Sequence, residues 1–181
     1  MGREPGRLMV HSVELLFDAD TDAAVRRIWD DLMACGVRSQ AAHRSPSNRP
    51  HVTLTVAERM DDAVTEALSP AVGHLPFDCL IGAPLLFGGR SITLARLVVP
   101  SAELLHLHAE VHRICLPHMA DGVLPHAEPG SWTPHVTLAR RLAPDKLAAA
   151  LALEDVGRDV PARAVGLRYW DGDAKREYRI G

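Results

Sequence analysis

Two segments of this 181-residue chain are identical over five positions, Pro50-His51-Val52-Thr53-Leu54 and Pro134-His135-Val136-Thr137-Leu138. In a strand successive side chains alternate faces, so each copy puts an imidazole and a hydroxyl on one face and two apolar side chains on the other. Histidine titrates near neutral pH and can serve there as base or as acid. A neutral imidazole from one copy would take a proton from an attacking water, and an imidazolium from the other would protonate a leaving oxygen. The hydroxyls of Thr53 and Thr137 would donate hydrogen bonds to non-bridging phosphate oxygens. The set suits phosphoryl chemistry between His51 and His135, with no metal and no other cofactor required. A lone His-x-Thr strand is more simply a core histidine. Two matched copies favour catalysis.

Elements that would bring the copies together repeat along the chain. The pattern predicts a strand over 8–17, a helix from Asp20 or Thr21 to Cys35 closed by Gly36, a loop over 39–50 and the first motif strand over 51–56. A short helix over 61–72 and strands over 77–87 and 91–99 follow, the strands joined by a hairpin at Gly88-Gly89. Ser101 opens a second long helix to Leu116, and a loop over 117–134 leads to the second motif strand over 135–140. A helix over 144–153 and strands over 160–170 and 175–180 complete the order. The expected organisation is one domain over 1–181, made of approximate repeats 8–90 and 91–181, with lobes that are not contiguous in sequence. Its expected class is α+β: a bilobal, duplicated, pseudo-two-fold fold with two antiparallel sheets facing a central cleft and helices outside.

With both motifs, their spacing, and an opening strand that ends in Phe17-Asp18, most of the chain resembles the two-histidine phosphoesterases. Within them it is similar to the bacterial 2′–5′ RNA ligase and RNA 2′,3′-cyclic phosphodiesterase group. That resemblance implies a bilobal fold and metal-independent ring opening of 2′,3′-cyclic phosphates on nucleotides or RNA ends. It also implies hydrolysis, or the reverse ligation, of 2′–5′ linkages. Related enzymes often carry an arginine where this chain has Arg140, which marks its guanidinium as a phosphate-binding cation able to hold two oxygens. The first motif continues Thr55-Val56-Ala57 without a basic residue, so the site is expected to be asymmetric, with acid and base not yet distinguished. Base stacking would use Trp132, or Tyr169 or Trp170, for each of which a core role competes.

Composition narrows the partners. A net charge of −3 argues against a long nucleic-acid surface and leaves a small nucleotide or an RNA terminus. No apolar run is long enough to span a membrane. The strand over 8–17 holds His11, Ser12 and Glu14, a poor signal-peptide core. Cys35, Cys79 and Cys115 form no metal or disulfide pattern, so a soluble, cytoplasmic protein with reduced thiols is expected. His108 and His112 stand one helical turn apart, with His106, His118 and His126 near in sequence; a solvated helix face is the preferred reading over zinc. Arg44 and Arg49 before the first motif read as solvated, and Gly88-Gly89-Arg90 as a turn rather than a phosphate cradle. Competing functions on the same fold are another phosphodiester substrate, such as a 2′–5′ oligoadenylate or a cyclic ADP-ribose phosphate, and a nucleotide-binding module without turnover.

Overall fold

A computed structural model describes residues 10–88 and 91–181. The chain opens with β1 (His11–Phe17) and α1 (Ala19–Ala34), then β2 (His51–Ala57) and the four-residue α2 (Val64–Ala67). The strands β3 (Phe77–Phe87) and β4 (Ile92–Val98) precede α3 (Ala102–Cys115) and β5 (His135–Leu142). Two short helices, α4 (Leu147–Leu151) and α5 (Glu154–Gly157), lead to β6 (Val160–Asp171) and β7 (Arg176–Ile180). Asp18, rather than Asp20 or Thr21, caps α1 by accepting the Thr21 N–H at 2.9 Å. Ser101 caps α3 through the Leu104 N–H. The expected helix over 61–72 stops after α2 and continues as a 3-10 turn over Ser69–His74, where Pro70 supplies no backbone donor. The expected start of the first strand at residue 8 and the hairpin residues Gly89 and Arg90 lie outside the described residues. Gly88 has a φ of +87°, and a Cβ there would lie 2.5 Å from the Ser91 carbonyl oxygen, so the hairpin demands glycine.

Seven antiparallel strands form one hydrogen-bonded ladder in the order β2-β1-β6-β3-β4-β5, with β7 on β6. The first part of β6 pairs with β3, and its remainder lies between β1 and β7. The two sheets expected to face a cleft are thus two wings of a continuous ladder, joined where β3 meets β6. The motif strands β2 and β5 are its two ends and touch each other. The helices cross over: α3 packs on β2, whereas α1 packs on β5 and β6. Each long helix therefore buries its apolar stripe against the other repeat's motif strand. Val25, Ile28, Trp29 and Leu32 of α1 and Leu104, Leu107, Val111 and Cys115 of α3 join Val52, Leu54, Val136 and Leu138 in one core. Among the described residues no helix is long and apolar enough to cross a membrane.

Candidate active site

Each motif histidine is fixed by the same local bond. Nδ1 of His51 lies 2.8 Å from the Arg49 carbonyl oxygen, and Nδ1 of His135 lies 2.7 Å from that of Thr133, in both cases two residues back. A carbonyl only accepts, so Nδ1 carries the proton in both rings and Nε2 is left to exchange one. The motif threonines are matched through their backbones too. The Trp132 indole N–H donates to the Thr53 carbonyl at 2.9 Å, and the Trp29 indole N–H donates to the Thr137 carbonyl at 3.1 Å. These two carbonyls lie on the end strands of the ladder, where an indole can supply the missing donor.

Past each threonine the register slips. The partners of β1 jump from Thr53 to Thr55 between Glu14 and Val13, and those of β4 jump from Thr137 to Ala139 between Ala95 and Leu94. In each copy the two residues after the threonine, Leu54-Thr55 and Leu138-Ala139, are consecutively buried. An extra residue of this kind reverses which side of the strand later side chains take. Strict alternation would leave Val56 and Arg140 on the core side; instead both line the cleft. One copy thus offers an apolar side chain and the other a guanidinium.

The cleft is a cavity of about 600 Å³ lined by His51, His135, Thr53 and Arg140 among others, a size suited to a nucleotide. Thr137 sits on the same strand between His135 and Arg140 but is not among the lining residues. Burial, reinforced by the charges of Arg140 and His51, holds the His135 imidazolium below the ordinary histidine range, against the Thr133 hydrogen bond. The His135 ring also lies 4.7 Å from that of Phe87. Trp132 lines the cavity, but its ring stacks on His108 at 3.8 Å. Tyr169 is fully buried, its hydroxyl donating to the Met60 carbonyl, and does not line the cavity. Its neighbour Trp170, on the other side of β6, does, as does Phe87.

A carboxylate, Glu14, also lines the cleft beside the first motif. Glu14 lies opposite both Thr53 and Arg168 in the ladder and is 6% exposed. Its Oε2 accepts the Arg168 Nε–H at 2.6 Å, and its Oε1 accepts the Ser12 hydroxyl at 2.8 Å. That same Oε1 lies 3.7 Å from His51 Nε2. Burial alone would raise the Glu14 carboxyl, but the charges of His51 and Arg168 and the hydrogen bonds from Ser12 and Arg168 bring it below the ordinary value. The only advance signal was a charged residue in a strand of Val and Leu.

The remaining candidates fall elsewhere. His108, expected on a solvated face, is buried, its Nε2 3.0 Å from the Ala127 carbonyl oxygen, because α3 turns that face onto β2 and Trp132. His118 pairs with Asp61, and Arg49 is not free in solvent but reaches Glu177 at 3.1 Å. Arg44 lines a separate hollow with Arg26 and Trp29. His126 lines the cleft from the 117–134 loop. Among the described residues one group could hold a metal, His74, His106 and Glu110, whose donor atoms lie within 4.8 Å of one another; none of the three lines the cleft. Cys35, Cys79 and Cys115 are free thiols.

Comparison with known proteins bears on both the family and the fold. The profile of the 2'-5' RNA ligase superfamily matches residues 17–174. No curated protein matches the chain. Among solved structures, Kluyveromyces marxianus Usb1 superposes with a TM-score of 0.55 at 12% identity, covering 97% of this chain and 99% of that one. The shared feature at that identity is the fold. E. coli LigT complexed with 3'-AMP gives a TM-score of 0.46 at 15% identity, covering 94% of this chain and 92% of its own.

Proposed function

The chain belongs to the 2'-5' RNA ligase superfamily, and from that premise we propose that its cleft opens 2′,3′-cyclic phosphates of nucleotides or RNA ends by metal-independent, two-histidine acid–base catalysis, with 2′–5′ ligation as the same ring opening by a 5′-hydroxyl in place of water. The observation that carries the proposal is the pair of imidazoles on one cavity, each tied through Nδ1 to a carbonyl and so left with Nε2 as its reactive nitrogen. Water would attack phosphorus as one Nε2 takes its proton, and the other Nε2–H would protonate the departing ribose oxygen. Arg140 and the Thr53 hydroxyl would hold the non-bridging oxygens as charge gathers on them.

Incubation with 2′,3′-cyclic nucleotides, with and without EDTA, tests this. Turnover should be unchanged by the chelator and fall by about 10²- to 10⁴-fold in both His51→Ala and His135→Ala. Full turnover in either single variant would overturn the acid–base reading. Loss of turnover on chelation would overturn metal independence.

A further inference from the structure

His51 is enclosed by a closed circuit of polar groups drawn from four parts of the chain. Its Nδ1–H is held by the Arg49 carbonyl, and the Arg49 guanidinium reaches Glu177 of β7. Glu177 also accepts from Arg168 of β6, whose guanidinium in turn holds Oε2 of Glu14 on β1. Oε1 of Glu14 closes the circuit beside His51 Nε2, at 3.7 Å. Arg168 is 4% exposed and also donates to the Ser47 carbonyl at 2.8 Å, so the Glu14–Arg168 half of the circuit is buried and fixed on several sides, while Arg49, Glu177 and His51 are half-buried. The surroundings of His135 differ. Its ring meets Phe87, its Nδ1–H the Thr133 carbonyl, and the charged groups that act on it are Arg140 and, when protonated, His51. Among the described residues no carboxylate pairs with it.

We infer that Glu14 is a positioning residue that gives the histidine pair its direction: His51 enters the reaction as the imidazolium that protonates the leaving oxygen, and His135 as the neutral imidazole that deprotonates water. This rests on the reading of the cleft as a phosphodiesterase site. Arg168 engages Oε2 and leaves Oε1 to Ser12 and to His51, so the carboxylate is neutralised toward the sheet and still directed at the ring. An anion within about 4 Å of Nε2 favours the charged ring, and a cation beside a desolvated ring favours the neutral one. In the step itself the water oxygen bonds to phosphorus, and the bond from phosphorus to one ribose oxygen breaks. One water proton goes to His135 Nε2, and the His51 proton goes to the released oxygen. The pair resets when His135 releases its proton to solvent and His51 recovers one. Titratable and charged groups around His51 are Glu14 of β1 at 3.7 Å, Arg168 of β6 behind that carboxylate, Glu177 of β7 through Arg49, and His135, Arg140 and His126 on the same cavity.

The test is Glu14→Gln, measured as kcat/KM for a 2′,3′-cyclic nucleotide from pH 5 to 9. The alkaline limb, where the acid is lost, should move down by about one pH unit or more, with the acid limb in place. Activity should then fall about tenfold at pH 8 and little at pH 6. A shift of the acid limb would overturn the assignment by making His51 the base, and a uniform loss at all pH values would make Glu14 a structural residue only. Because Glu14→Gln leaves buried Arg168 with only Glu177 as its partner, the double variant Glu14→Gln/Arg168→Gln is measured in parallel and should move the same limb in the same direction by a smaller amount, since the opposing Arg168 charge is lost too. Nitrogen NMR of the rings near pH 7 needs no turnover: the His51 signals should move toward the neutral form in Glu14→Gln while those of His135 stay. If the wild type opens no cyclic phosphate, the function fails on its own, and unmoved His51 signals would refute the role of Glu14 independently.

Discussion

The two motifs are chemically identical, and what distinguishes them is which charge stands next to each ring. Arg140 illustrates how one side chain does two things. It lines the cavity where a phosphate would lie, and its charge is one reason the His135 imidazolium is disfavoured, after burial. Arg140→Gln should therefore raise KM through loss of the phosphate cation and also move the acid limb of the pH–rate profile upward. The sign follows from the base: without the cation His135 holds its proton to higher pH, so the neutral form appears later as pH rises. An unchanged acid limb, with only KM raised, would mean that burial alone keeps His135 neutral. His51, His135 and Thr53 stand out in the sequence because the pentapeptide recurs, while their convergence on one cavity depends on the fold. The position of Arg140 followed from the family resemblance, but its direction depends on a register slip that no letter announces. Glu14 was hidden for a related reason. A lone carboxylate in a strand reads as a solvent-facing residue until its neighbours across the ladder, Thr53 and Arg168, are known.

At the level of elements, most of the strands and both long helices were legible, since they rest on period and caps. The short helices over 61–72 and 144–153 were legible only in outline, as α2 and α4 with their 3-10 turns, and α5 was not, because segments of four or five residues have little periodicity to read and are stabilised by what they pack on. The clearest case is α5, four residues long, whose last carbonyls are held by a side chain distant in sequence. Arg96 of β4 is fully buried and donates to the carbonyls of Asp155 at 2.9 Å and Arg158 at 2.6 Å, and also to those of Ile81 and Gly82 at the bend of β3. One guanidinium thereby ties β3, β4 and the α5 segment into the wing that carries His135. Arg96→Met keeps the stem but leaves these acceptors without their donor, and should cost on the order of 3 kcal/mol by urea denaturation. Such a buried charge also explains why no sequence reading singled it out: arginine in a strand is ordinarily assigned to solvent. A loss below about 0.5 kcal/mol, the range of a surface substitution, would mean that water replaces the guanidinium at no cost.

For the whole molecule, the segments 8–90 and 91–181 read as approximate repeats are crossed, in keeping with the expectation that the lobes are not contiguous in sequence. β1 of the first repeat lies between β2 and β6, and β6 comes from the second repeat. α3 covers β2, and α1 covers β5. The Trp29 indole of the first repeat caps the Thr137 carbonyl of the second, and the Trp132 indole of the second caps the Thr53 carbonyl of the first. A duplicated sequence is compatible equally with independent lobes and with crossed ones; only the pairing of strands and the seats of the helices distinguish them, and those are long-range contacts that local pattern does not encode. The consequence for function is that neither motif strand is covered without the other repeat, so the distance between the histidines is set by one shared core. Crossing also predicts how the chain unfolds. A fragment of residues 1–88 would lack β6 beside β1 and α3 over β2, exposing an edge and an apolar face that the β1–β2 pair, with β3 stripped of both its partners, cannot bury. It should show no cooperative denaturation transition by circular dichroism. The full chain should lose its helical signal and its tryptophan fluorescence in one coincident transition, since Trp29 and Trp132 lie on the seam between the repeats. Two separated transitions, or a cooperatively folded fragment, would mean that the halves are independent and that the cleft is set by docking them rather than by a common core.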